Sequence, residues 1–175
     1  MKIDKDHLYY GAAVIQIAEH PSFTAINDFK RNDTTIRCAY WVNQNIGVYL
    51  KYRTTADRVA NWNNKDANEY LFVFNEENLD HIRNMKRRAQ SAYIGFVCVE
   101  DKQICCLSVD ELLALISRRR KAKGADEKQY SVIAALPKGS KFRVYVTPPR
   151  RRNMVLGDPV LVAQKDFSER LFAAQ

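Results

Sequence analysis

Absent from this chain are the short motifs that mark most nucleotide- and cofactor-using enzymes. Its 175 residues contain no G-x-x-x-x-G-K-[ST], no G-x-G-x-x-G, no G-x-S-x-G and no H-E-x-x-H. Triphosphate hydrolysis, dinucleotide chemistry and the common hydrolases therefore have no support. Only six glycines are present, which leaves little material for backbone cradles around phosphate. No apolar run approaches the ~20 residues that a membrane-spanning helix needs. The first residues, Met1-Lys2-Ile3-Asp4-Lys5-Asp6-His7, carry both signs of charge and lack the apolar centre of a secretory signal, so a cytoplasmic protein without a membrane partner is expected. The three histidines, His7, His20 and His81, lie far apart on or beside helical runs, where a surface or capping role is the ordinary one. Cysteines stand at 38, 98, 105 and 106 without C-x-x-C spacing, and Cys105 and Cys106 point to opposite faces of one strand. They read as buried thiols in a reducing compartment, with no metal and no resident cofactor.

What is present is charge and β-forming sequence. Lysine and arginine outnumber the acids to leave a formal charge of +8 and a pI near 9.4, which favours an acidic partner, nucleic acid first. With 46% hydrophobic and 27% charged residues, the composition is globular. The length fits one domain, 1–175, able to bury about 70% of the surface its unfolded form exposes.

The chain is organised around 36–74. Ile36-Arg37-Cys38-Ala39-Tyr40-Trp41-Val42 and Ile46-Gly47-Val48-Tyr49-Leu50-Lys51-Tyr52-Arg53 form a predicted hairpin, and Glu69-Tyr70-Leu71-Phe72-Val73-Phe74 a third strand. In the second run the even positions Ile46, Val48, Leu50 and Tyr52 are apolar, while Asn45, Gly47, Tyr49, Lys51 and Arg53 share the other face. One face is expected to be core and the other polar and basic.

Around this centre the remaining elements follow from periodicity and caps. A helix is expected over 7–20, with Asp6 as N-cap and Leu8, Ala12, Ile15 and Ala18 as its stripe; Pro21 ends it. Residues 22–30 read as a short helix or loop tucking Phe23, Ile26 and Phe29 under the sheet. Residues 54–68 read as a long hydrophilic loop, with Trp62 either an anchor or a stacking platform. Asn75 caps a helix with Glu76 and Glu77 in its first turn, Leu79, Ile82 and Met85 as its buried stripe, and a basic far end that matches the helix dipole. The unalternating run 92–99 is the expected middle strand of the sheet, followed by a strand over 104–107. Ser108 and Glu111 make a capping box for a helix closed by Arg118 to Gly124. Strands over 130–136 and 142–146 flank Gly139, a basic loop carries Pro148 and Pro149, a last strand pair is expected around Gly157-Asp158, and a short helix over 166–173 ends the chain. The fold class is thus α/β (α+β), a central mixed sheet flanked by helices over 1–107, followed by a helix, C-terminal β-hairpins and a final helix over 108–175.

The order helix, hairpin, third strand, helix, buried strand over roughly 6–107 resembles the core of the restriction-endonuclease-like, or PD-(D/E)XK, superfamily. That resemblance implies an acid at the start of the second strand and an E-x-K on the third, holding a divalent ion that activates water, with a helical glutamate assisting. Carried onto this chain, the helical acid falls at Glu19, the second-strand acid at Asn45, and the third strand offers Glu69 with Leu71 in place of lysine; Lys51 on the neighbouring strand would have to substitute. The chain is also similar to a set of bacterial proteins sharing runs such as Glu19-His20-Pro21-Ser22-Phe23-Thr24, Ile46-Gly47-Val48-Tyr49-Leu50-Lys51-Tyr52 and Ile104-Cys105-Cys106-Leu107, a likeness that brings no activity with it.

Two defining positions of the nuclease motif are wrong, so the sequence points to a non-catalytic nucleic-acid-binding protein on a nuclease-like scaffold. Its expected contacts are Lys51, Arg53, Arg83, Arg87, Arg118, Arg119, Arg120, Lys121, Arg150, Arg151 and Arg152, which would track phosphates. Two alternatives stand beside it. One is a nuclease with a migrated site of Glu19, Glu69 and Lys51 and a bound Mg2+ or Mn2+. The other is an interaction subunit of a bacterial assembly, a defence or mobile-element system, joined through strand edges in the C-terminal third as a homodimer or with another protein.

Overall fold

The computed structural model describes residues 2–62, 65–151 and 153–173, with the backbone alone at 60–62 and 65. The element order is α1 (Lys5–Ala18), β1 (Ile26–Arg31), β2 (Thr34–Val42), β3 (Ile46–Arg53), β4 (Asp57–Trp62), β5 (Lys65–Asn75), α2 (Glu76–Arg88), β6 (Ser91–Cys98), β7 (Gln103–Ser108), α3 (Val109–Lys123), β8 (Gln129–Pro137), β9 (Phe142–Tyr145), β10 (Val160–Val162) and α4 (Phe167–Phe172). The strands make two five-stranded sheets. The first runs β1-β2-β3-β6-β7 and the second β10-β9-β8-β5-β4. In the first, β3 and β6 are parallel and every other neighbour is antiparallel. The second is antiparallel throughout. The expected fold class, α/β with a central mixed sheet and flanking helices, is the one observed.

The local signals explain the elements they named. Asn75 accepts the Asn78 N–H, and Ser108 accepts the Glu111 N–H while Glu111 returns a bond to the Ser108 N–H, so both helix starts close as reciprocal caps. Acids occupy the first turns and bases the last turns of α2 and α3, as the helix dipole favours. Gly124 ends α3 at φ 74, the left-handed turn that glycine adopts without a Cβ clash.

Two apolar layers result. α1 and α4 cover the outer face of the first sheet, where Ala13, Ile17, Phe167 and Leu171 pack on Val42, Ile46, Val48 and Leu50. Between the sheets lies the larger core, shared with the inner stripes of α2 and α3, where Phe72 and Phe96 stack with ring centroids 4.1 Å apart. Cys105 belongs to this core and Cys106 to the α1/α4 layer, as their adjacency requires. The two sheets are also tied at one end. Asp101, in the β6–β7 turn, accepts from the Tyr70 hydroxyl of β5 at 2.7 Å and from Asn68 Nδ2 at 3.0 and 3.1 Å.

Several expectations are corrected, each for a tertiary reason. The odd face of β3 is not a free basic surface: a second sheet covers it, Tyr49 is buried, and Gly47 lies against Met85 so closely that a Cβ would stand 2.5 Å from its Cγ. Residues 26–31 are an edge strand, not a helix or loop, because β2 offers them an unpaired edge. Residues 57–62 form β4 rather than loop, and the strand over 69–74 extends from 65 and leaves the first sheet to pair with β8 over nine positions. β3, not β6, holds the middle of the first sheet. The N-cap of α1 is Asp4, with His7 reciprocating. That helix buries Ala13 and Ile17 while Leu8 (57%) and Ile15 (60%) face outward. α1 is apolar on more than one side, and Tyr9 and Tyr10 packed on Tyr52 select its rotation. Among the described residues only β10, paired with β9, stands where a terminal strand pair was expected. The Trp62 side chain lies outside the described residues.

Candidate nucleic-acid interface

The acids and lysine of the migrated nuclease site are spread over three layers. Glu19 is the exposed C-cap of α1, beyond the outer face of the first sheet. Lys51 lies between the sheets, its Nζ 5.0 Å from the centre of the Phe74 ring. Glu69 is on the outer face of the second sheet and accepts the Tyr145 hydroxyl at 2.5 Å. The structure therefore corrects this assignment: Glu19 and Glu69, on opposite sides of the two-sheet stack, cannot share one ion whose oxygen ligands stand at about 2.0–2.6 Å. Asn45 falls in the β2–β3 turn and donates to Gln90 Oε1 at 2.8 Å, and Leu71 faces outward, 37% exposed.

With β5 in the other sheet, the three consecutive strands of the first sheet are β1, β2 and β3. Neither β2 (TTIRCAYWV) nor β3 (IGVYLKYR) holds a carboxylate. Their inner faces bring together Cys38, Tyr49 and Lys51. Burial raises the pKa values of the Tyr49 hydroxyl and the Cys38 thiol, and burial holds the Lys51 amine below its ordinary 10.5.

The basic clusters are mostly engaged with their own protein. On α2, Arg83 bridges Glu76 at 2.6 Å and Asp80 at 3.3 Å, Lys86 pairs with Asp110, and Arg88 donates to the Lys30 carbonyl at 3.0 Å while lying over Phe29 and Trp41. On α3, Arg118 donates to the carbonyls of Leu156 and Asp158 and Arg119 to Glu127 and Thr147, while Arg120 forms an ion pair with Asp126 at 2.5 Å and donates to the Tyr130 hydroxyl at 3.4 Å. Arg83, Arg118, Arg119 and Arg120, all expected as phosphate contacts, are thus each engaged by groups of their own protein, Arg118 and Arg119 through backbone carbonyls as well. Arg53, Arg87 and Lys121 are exposed without an ion-pair partner among the described residues, at separate places in the chain. Arg152 lies outside the described residues.

One basic surface does form. Residues 147–151, after β9, and the α3–β8 connection border a groove of about 910 Å3 on the outer face of the second sheet. It is lined by Leu71 and Ile133, by Lys128, Arg150 and Arg151, by the paired Arg119 and Glu127, and by Asp57, which has no ion-pair partner among the described residues. A second cavity, about 620 Å3 near Asp101, sets Arg58 and Lys138 beside Asp66 and Asp101 and so has no preferred sign. Sequence reasoning located Arg150 and Arg151 but missed Lys128 and Asp57. Lys128 sits beside an acid and alone carries no signal; only the closure of α3 onto β8 brings it to the groove.

Comparison of the chain with protein-family models, curated proteins and solved structures finds no match. No helix among the described residues is long and apolar enough to cross a membrane.

Proposed function

We propose that the protein binds nucleic acid through the groove on the second sheet and does not cleave it by the two-carboxylate metal route. The observation that carries this reading is the set of three exposed cations, Lys128, Arg150 and Arg151, lining a groove with Leu71, Ile133 and the acid Asp57. Phosphates would meet these cations, and binding would be steeply salt-dependent because each neutralised phosphate releases counterions. The order and directions of β1-β2-β3-β6-β7, with one helix before them and one between β3 and β6, support the likeness to the restriction-endonuclease-like core. On that likeness the E-x-K position of the third strand is Tyr49-Leu50-Lys51. The lysine is kept, and in place of the ion-binding acid stands a tyrosine whose pKa burial raises, which is no ligand for Mg2+ at neutral pH.

Fluorescence anisotropy with labelled 20-nucleotide single strands and duplexes tests the reading. Binding at low salt should fall with rising salt, and a double Arg150→Gln, Arg151→Gln variant should lower the slope of log K against log salt by about 1.4–1.8. No binding in the wild type at about 25 mM salt, where the Debye length is about 19 Å against about 8 Å in physiological medium, would refute it. Incubation with plasmid and Mg2+ or Mn2+ should give no cleavage that Glu69→Ala removes. A second reading, an interaction subunit, draws on the outward Leu8 and Ile15 of α1. A concentration-dependent mass in light scattering without nucleic acid would favour it.

A further inference from the structure

Arg118 and Arg119 are neighbours on α3, yet they reach opposite stems of one loop. At its entry, Arg119 Nη1 donates to the Thr147 carbonyl at 2.7 Å, while its Nε and Nη2 grip both oxygens of Glu127 at 2.7 Å each. Both side chains are only 19% exposed, so this fork is largely withdrawn from solvent and has its geometry set at two oxygens. At the loop's exit, Arg118 Nη1 donates to the carbonyls of Leu156 at 3.1 Å and Asp158 at 2.7 Å. Gly157, between those carbonyls, has φ 71, and a Cβ there would stand 3.0 Å from Arg118 Nη1. The Leu156 N–H closes the two stems on each other by donating to the Val146 carbonyl at 2.8 Å.

The tip carries the cations. The Arg151 N–H donates to the Pro148 carbonyl at 3.3 Å. Arg150 has φ 63, a left-handed conformation that a side-chain-bearing residue keeps only where its surroundings over-determine it. That turn stands between the two stems that Arg119 and Arg118 fasten, at Thr147 on one side and at Leu156 and Asp158 on the other.

We infer that Arg118, Arg119 and Glu127 form a clamp that holds the 147–158 loop in the shape setting Arg150 and Arg151 over the groove, so that they act on a phosphodiester ligand as positioning residues and not as phosphate contacts. This rests on the reading of the groove as a nucleic-acid site and adds to it where the affinity comes from. A loop already in its bound shape loses less conformational entropy when the ligand arrives. The arginine run that looks in sequence like the strongest phosphate-binding feature thereby works one step removed from the ligand.

The test compares Arg119→Gln and Glu127→Gln with Arg151→Gln, using anisotropy on a labelled oligonucleotide across a salt series and amide hydrogen exchange over 147–156. Glu127→Gln leaves α3 unaltered and serves where Arg119→Gln folds poorly. Both clamp variants should speed exchange in the loop and weaken binding about tenfold by freeing the two loop arginines, with the salt slope unchanged. Arg151→Gln should lower the slope by about 0.7–0.9 and leave loop exchange as it is. A clamp variant that lowers the slope as Arg151→Gln does, with unchanged exchange, would show Arg119 to be a direct contact and overturn the inference. So would a loosened loop with unaltered affinity. If the wild type binds no oligonucleotide, the groove reading fails instead, and unchanged loop exchange in Glu127→Gln would then dispose of the clamp separately.

Discussion

Tyr70→Phe removes one oxygen from the joint between the sheets. The Tyr70 ring is fully buried, so the phenylalanine fills the same space and the change is confined to the hydroxyl. That hydroxyl donates to Asp101 Oδ2 at 2.7 Å and accepts the Asp101 N–H at 3.1 Å. Burial and the adjoining carboxylate raise its pKa far beyond the working range, so it remains a donor throughout. A hydrogen bond to a charged group contributes about 1.5–3 kcal/mol, and an N–H left without its acceptor adds to the loss. Asp101 keeps both bonds from Asn68 and borders an open cavity where water can replace the phenol, which argues for the lower part of the range, about 2 kcal/mol. With a urea slope of about 2 kcal/mol/M, the unfolding midpoint should fall by about 1 M with the slope unchanged. The single variant Asp101→Asn should destabilise in the same direction, and the double variant should cost less than the sum. A midpoint within about 0.2 M of wild type would mean that the Tyr70 hydroxyl contributes nothing net to the joint.

Gly95→Ala should cost about 1–3 kcal/mol by overpacking, because the new methyl would stand 2.7 Å from Leu50 Cδ2 and 3.1 Å from Phe167 Cε2; a thermal melt equal to wild type would contradict it. Burial raises the pKa of all four cysteines, Cys106 to about 12, so a thiol reagent at pH 8 should leave 98, 105 and 106 untouched in the native protein and label all four in denaturant. Prompt native labelling of more than one thiol would refute that. Arg119 holds the Glu127 carboxyl below its ordinary 4.5. The pair therefore supports the fold fully above that value and loses its contribution as pH falls below it through the lowered native pKa. Amide protection in the 147–156 loop, taken relative to the intrinsic exchange rate at each pH, should fall over that acid window in the wild type and show no such step in Glu127→Gln.

Legibility followed the range of the interactions. The starts of α2 and α3 were readable because a cap and its partner lie three residues apart. β6 was readable because an unbroken apolar run has no exposed side to choose. β1, with one fully buried side chain in Ile26–Arg31, has almost no strand signal of its own and exists because β2 accepts it. For α1 the apolar residues surround the axis, so periodicity admits two rotations, and the contact with Tyr52 decides between them. β3 shows the same limit on its odd side. Alternation separates two faces, but only the second sheet determines that the face with Tyr49 and Lys51 is interior.

The candidate site divides in the same way. Composition and sequence alone established a basic chain with arginine-rich segments at 118–120 and 150–152, with Asn45 where the nuclease motif has an acid and Leu71 where it has a lysine. Which arginines are available to a ligand was decided by tertiary structure, because their partners are remote: Glu127 is eight residues from Arg119, Thr147 is 28 away, and Leu156 and Asp158 are 38 and 40 residues from Arg118. A guanidinium's charge is a property of the residue. Whether that charge is spent on a carbonyl within the protein or left for a phosphate depends on what the fold places within 3 Å of it.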